Sequence, residues 1–144
     1  MYTRWSNVAS SAPEFAASVA ARFGANLHHL LGTIRADGSP RISGTEVTIG
    51  SDVGLGMMPD SRKLADVGRD PRVEIHSAPL EEDLAAGDAK IGGRLVAAGA
   101  PPKGAPGSMF VVDIERVSLV QVDGDELVVS VWHPGSGLQV TRRR

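Results

Sequence analysis

The sequence predicts a mainly β (α+β) fold: six to seven antiparallel strands in a small barrel or sandwich, with an N-terminal helix and one short internal helix. Three observations carry this. The 17 glycines and 9 prolines among 144 residues recur between short β-rich runs, as turns recur between strands. Runs such as "RVEIHSA" alternate apolar and polar residues with a period of two. Helical patterning is confined to a stretch near the N-terminus and to residues 60–69.

Ser11-Ala12-Pro13-Glu14 reads as a helix start, with Ser11 as N-cap, Pro13 early in the helix and Glu14 closing a capping box. Phe15, Val19 and Phe23 then form an apolar stripe spaced by four, and Gly24 interrupts or ends it. "HLLGTIR" (29–35) is the first strand, and Asp37-Gly38 marks a hairpin into "PRISGTEVTIG" (40–50), with a bulge expected at Gly44. "VGLGMM" is a third short strand. Residues 60–69 are a helix that Asp70-Pro71 ends, since a residue before proline avoids the helical region. Strands follow at 72–78, at 88–99 with a kink at Gly92-Gly93, at 108–122 and at 126–132; "PLEEDLAAG" is an acidic connector and "APPKGAPG" a loop. "HPGSG" closes the ordered part. Residues 1–144 form one domain, with 1–10 and the basic end 141–144 expected to be loosely ordered tails.

Composition removes several classes. The formal net charge of −2 is not that of a general nucleic-acid binder. With no cysteine there are no disulfides, thiolate catalysts or Cys-ligated metals. No signal peptide is evident, and no apolar run approaches the ~18–20 residues of a membrane span. A cytoplasmic location is expected.

The chemistry concentrates in "GLGMMPDSRKLADVGRDPRV" (54–73). A helix N-terminus carries unpaired N–H groups and partial positive charge, so it favours anions. Here Asp60 reads as N-cap, with Ser61, Arg62 and Lys63 in the first turn. Cations are unfavourable there unless an anion compensates them. Arginine brings forked donors that suit phosphate, lysine a point charge and serine a hydroxyl. Arg41 and Ser43, on the second strand, would add donors if the fold brings them close. Adjacent His28 and His29 lack partner ligands and read as structural; His76 lies on the face of its strand opposite Val73 and Ile75. No nucleophile elbow, dinucleotide fingerprint or glycosidase-like carboxylate pair is present.

"TIRADGSPRISGTEV", "GLGMMPDSRKLADVGRDPRVEIHSA", "DAKIGGRLV" and "ELVVSVWHPGSGL", in that order over about residues 26–140, resemble the pyridoxamine 5′-phosphate oxidase-like family of FMN-binding split barrels, including its flavin/deazaflavin oxidoreductase branch. The resemblance implies a split β-barrel and a homodimer with cofactor sites at the subunit interface. It implies FMN held by its phosphate through Arg41, Ser43, Ser61, Arg62 and Lys63, with Met58 beside them and with Lys90 and Trp132 completing the site from the partner subunit. It implies hydride or electron transfer to a small molecule, with no single catalytic side chain assigned. Two alternatives stand beside it: a reductase using the deazaflavin coenzyme F-420, whose acidic tail would need a basic groove, and a non-catalytic flavin- or haem-binding protein. The sequence departs from the family in its short 99–107 connector, in Met57-Met58 before the phosphate cluster and in Ser136 near the C-terminus.

Overall fold

The computed structural model describes residues 2–79 and 84–144. The acidic triplet 81–83 lies outside them. In chain order the elements are α1 (Trp5–Ser11), α2 (Pro13–Gly24), β1 (His29–Ile34), β2 (Pro40–Thr45), β3 (Thr48–Ile49), β4 (Val53–Met57), α3 (Arg62–Arg69), β5 (Arg72–His76), β6 (Asp88–Ala97), one 3-10 turn (Pro102–Gly104), β7 (Ser108–Asp123), β8 (Glu126–His133) and β9 (Gly137–Arg143).

All strand pairs are antiparallel. They form one sheet in the order β2-β1-β5-β6-β7-β4-β3, from which β8 and β9 branch at β7. The long β7 makes the branch: residues 108–111 pair with β4, and 117–123 pair with β8. The sheet is not closed, because its path ends at β2 on one side and β3 on the other. This is a split-barrel α+β fold.

One apolar cluster fills the concave side. Leu31, Val53, Leu55, Ile75, Ile91, Val112, Ile114 and Val117 supply the sheet's share, and Val8, Phe15, Val19 and Phe23 the share of α1 and α2. The Phe15–Val19–Phe23 stripe therefore packs as its spacing predicts. Arg22, buried on the same helix, donates to the carbonyls of Ala78 and Gly87 and so clasps both ends of the connector between β5 and β6.

Several expectations need correction. Among the described residues there are nine strands rather than six or seven: the 40–50 run splits into β2 and β3, and a β9 follows "HPGSG". Residues 5–11 are not a loose tail but α1, because Trp5 and Val8 are buried. Residues 141–143 are not a loose tail either, since they pair with β8 at Val129, Val128 and Leu127. Ser11 does not cap α2: it ends α1, the N-cap is Ala12 with no side-chain bond, and Pro13 opens the helix. No bulge falls at Gly44, whose pairing with Leu30 is in unbroken register. The register shift lies at Gly92/Gly93, where the kink was expected.

Candidate functional site

Two adjoining recesses flank α3. The helix begins one residue later than expected. Asp60 has a left-handed φ of 61°, so it belongs to the turn. Ser61 is the N-cap, and its Oγ accepts from the Leu64 N–H at 3.3 Å. Its hydroxyl therefore already serves the helix. Asp70 ends α3 in an extended conformation before Pro71, as the sequence requires.

The first recess is a cleft of about 490 Å³ where the barrel fails to close, between the end of β2 and β4. Its walls include Thr45, Glu46, Leu55, Met58, Met109 and Lys63. Along its floor, β4 presents Gly54 and Gly56, each paired with β7. A Cβ at Gly54 would meet Thr48 Oγ1 at 3.0 Å and one at Gly56 the Met109 sulfur at 3.1 Å, so these two side chains sit close over a floor that only glycine allows. Met58 is 62% exposed at the rim. Lys63 Nζ donates to the Gly44 carbonyl at 2.7 Å and ties the first turn of α3 to the β2 edge.

The second recess is a groove of about 370 Å³ between α3 and the β1–β2 hairpin. The positions 62, 65, 66 and 69 make one stripe of the helix, and this stripe faces the groove with Arg35, Asp37 and Arg41. Four guanidiniums thus meet two carboxylates, and both carboxylates are engaged. Asp37 accepts from the Ser39 N–H and hydroxyl. Asp66 is fully buried and accepts from Thr33 Oγ1 at 2.8 Å, Arg41 Nε at 2.7 Å and Arg69 Nη2 at 2.8 Å. The Arg41 bond above all, with those of Thr33 and Arg69, outweighs burial and holds the Asp66 carboxyl down to about 2. Arg62 is exposed and makes no ion pair or hydrogen bond among the described residues.

Ser43 shares its face of β2 with Arg41 and Thr45, and its Oγ is buried without a hydrogen-bond partner. Ser43 lines neither recess, and its Oγ is closed off from both.

The structure thus brings Arg41, Ser43, Met58, Arg62 and Lys63 around α3. Within one chain it does not bring Lys90 or Trp132 there. Lys90 sits on β6 between His76 and Ser118 and lines neither recess. Arg94, further along β6, pairs with Glu115 at 3.2 Å. Trp132 is 4% exposed in the core, and its indole N–H donates to Ser11 Oγ at 2.9 Å. Among the histidines, His29 is buried, donates from Nε2 to the Phe23 carbonyl and accepts at Nδ1 from the Ala78 N–H. His28 borders the cleft. His76 meets the Ser77 carbonyl through Nδ1.

Sequence reasoning missed Arg35, Glu46, Asp66 and Arg69. The spacing of Arg62, Asp66 and Arg69 (i, i+4, i+7) was the available signal, because it places all three on one helix face.

No family model and no curated protein matches the sequence. Solved structures match it in fold. A pyridoxamine 5′-phosphate oxidase-related, FMN binding protein from Nostoc punctiforme PCC 73102 shares 10% identity, covering 92% of this chain and 96% of that one, with a TM-score of 0.69. PhzG from Burkholderia lata 383, solved with tetrahydrophenazine-1-carboxylic acid, shares 12% identity over 92% and 89% of the two chains, with a TM-score of 0.68. An F420 reductase shares 15% identity over 64% and 89%, with a TM-score of 0.51. With an unclosed antiparallel sheet and one helix after the fourth strand, the chain has the split-barrel fold of the pyridoxamine 5′-phosphate oxidase-like proteins.

Proposed function

We propose that the chain binds FMN and acts as an oxidoreductase on a small molecule. One observation carries this: a cleft with Met58 and Met109 on its walls adjoins a groove of four arginines, one of them unpaired among the described residues, at the first turn of α3. A flavin mononucleotide has those two parts, a flat ring and a phosphate. Arg62, Arg41 and Lys63 would hold the phosphate, and Met58 and Met109 would flank the ring. When bound, the flavin supplies the uptake and release of hydride or electrons. The chain's own part is to bind, orient and exclude water. That fits a cleft whose described side chains form no acid–base pair aimed at one point.

A homodimer with cofactor sites at the interface completes the reading. It is supported by Ile42, 67% exposed on β2, which shares the outward sheet face with Leu30 beside the cleft.

A second reading, coenzyme F-420 in place of FMN, is favoured by the groove's length. Arg62 and Arg69 stand seven residues apart, about 10 Å along the helix, longer than one phosphate needs. A ligand with an acidic tail would use both ends.

The test is fluorescence or absorbance titration of the purified chain with FMN, riboflavin and F-420, together with its visible spectrum, which would reveal haem. FMN should bind more tightly than riboflavin. Arg62→Ala should raise the FMN dissociation constant about 10- to 150-fold, the worth of one charge-assisted hydrogen bond, and leave riboflavin unchanged. Equal binding of FMN and riboflavin by the wild type would refute the phosphate role. Tighter binding of F-420 than of FMN would move the reading to the deazaflavin.

A further inference from the structure

Building on the reading of the α3 groove as a phosphate site, we infer that Asp66 is its positioning residue: buried behind the groove, it fixes two of the arginines that would touch the anion. An aspartate in a helix interior is uncommon, and a fully buried one is rarer still. Here it is matched by donors from three elements, Thr33 of β1, Arg41 of β2 and Arg69 one turn further along α3.

Those contacts use only part of each guanidinium. Arg41 gives its Nε–H to Asp66, with a longer Nη2 contact at 3.5 Å. Arg69 gives one Nη2 hydrogen bond. Among the described residues no acceptor takes Arg41 Nη1 or the Nε and Nη1 of Arg69, and both side chains remain partly exposed along the groove. Each arginine is thus held on one side and open on the other. An arginine already fixed in its binding rotamer loses less freedom when an anion arrives, and it presents its fork in a set direction.

A structural staple and a positioning residue make opposite predictions. The Asp66 charge repels an anion, so on charge alone Asp66→Asn should tighten anion binding. If Asp66 positions the arginines, the same variant should weaken it. The probe is inorganic pyrophosphate, measured by calorimetry on the full chain. Wild type should bind it, and Asp66→Asn should raise the dissociation constant about tenfold or more, as for the loss of one charge-assisted contact. Thr33→Val removes a donor to Asp66 without touching an arginine, so it should lower the melting temperature and leave pyrophosphate affinity unchanged. Equal or tighter binding by Asp66→Asn overturns the inference, and so does a wild type that ignores pyrophosphate.

If Asp66→Asn does not fold, the wild type alone decides. In guanidinium NMR spectra, pyrophosphate should shift the Arg41 and Arg69 signals together with that of Arg62. Movement of Arg62 alone overturns the inference. The outcome separates from that of the flavin reading. A chain whose pyrophosphate binding depends on Asp66, but which binds FMN and riboflavin equally, would retire the flavin and keep the positioning role.

Discussion

Replacing Trp132 with phenylalanine separates a core role from a ligand role. The indole is buried opposite Val117 in register, and its N–H reaches across the core to Ser11 at the end of α1. Phenylalanine is smaller by two ring carbons and the indole nitrogen. At ~0.8 kcal/mol per buried carbon group, the lost burial is worth about 1.6 kcal/mol. The lost hydrogen bond adds about 1 kcal/mol, because the Ser11 hydroxyl is left without its partner. The total is about 2.5 kcal/mol, or a fall of about 5–10 °C in melting temperature for a chain of this size. Thermal unfolding followed by circular dichroism measures the stability, and FMN titration below the transition measures the site. The expected result is a lower melting temperature with an unchanged FMN dissociation constant. An unchanged melting temperature with weakened FMN binding would refute the reasoning and return Trp132 to the ligand.

The remaining predictions concern acid, loop geometry and assembly. Asp66 is held down to about 2 from an ordinary 3.8, so its folded value lies below its unfolded one. Its contribution to stability is therefore complete above about pH 4 and is lost as the pH falls toward 2. Denaturant melts across that range should show a shallower acid limb in Asp66→Asn; it is not abolished, because Asp70, held to about 2 by Arg72, titrates there too. Gly107 has a φ of 109°, and a side chain there would meet the Met57 carbonyl oxygen. Gly107→Ala should therefore cost at least ~2 kcal/mol in a urea melt and weaken ligand binding through the displaced Met57–Met58 segment; wild-type stability would refute this. Light scattering at micromolar concentration should return the mass of two chains, and the mass of one would count against shared sites.

How far the sequence could be read depended on whether a feature was local. The strands at 29–34 and 126–133 stand where β-rich runs beside turn signals put them, that at 72–76 where period-two alternation put it, and Asp37-Gly38 turns the hairpin, because these signals lie within a few residues. β9 was missed since the alternation of "LQVT" is brief and ends in three arginines. α1 was missed because "WSNVASS" shows a single apolar pair, and what makes it a packed helix is the distant core that receives Trp5 and Val8. At the site, the chemical character of Arg62 and Lys63 was visible in the chain. For Asp66 only the helix face it shares with Arg62 and Arg69 was visible; its burial was not, because its partners Thr33 and Arg41 are 33 and 25 residues away. Trp132 went the other way: an aromatic beside His-Pro-Gly looks like a surface cap until the sheet turns it inward.

The branch at β7 bears on when the site can exist. β4 has two neighbours: β3, which is two residues long, and the first four residues of β7. Gly54 and Gly56 are laid flat only once Val111 and Met109 have been added beside them. On a ribosome, the stretch carrying "DSRK" therefore emerges long before the strand that levels the floor in front of it. A growing chain can form the β1–β2 hairpin early, but it has no cleft until residue 111 has cleared the exit tunnel. A ligand of this cleft cannot guide the first steps of folding. It can only meet chains in which β7 already lies beside β4.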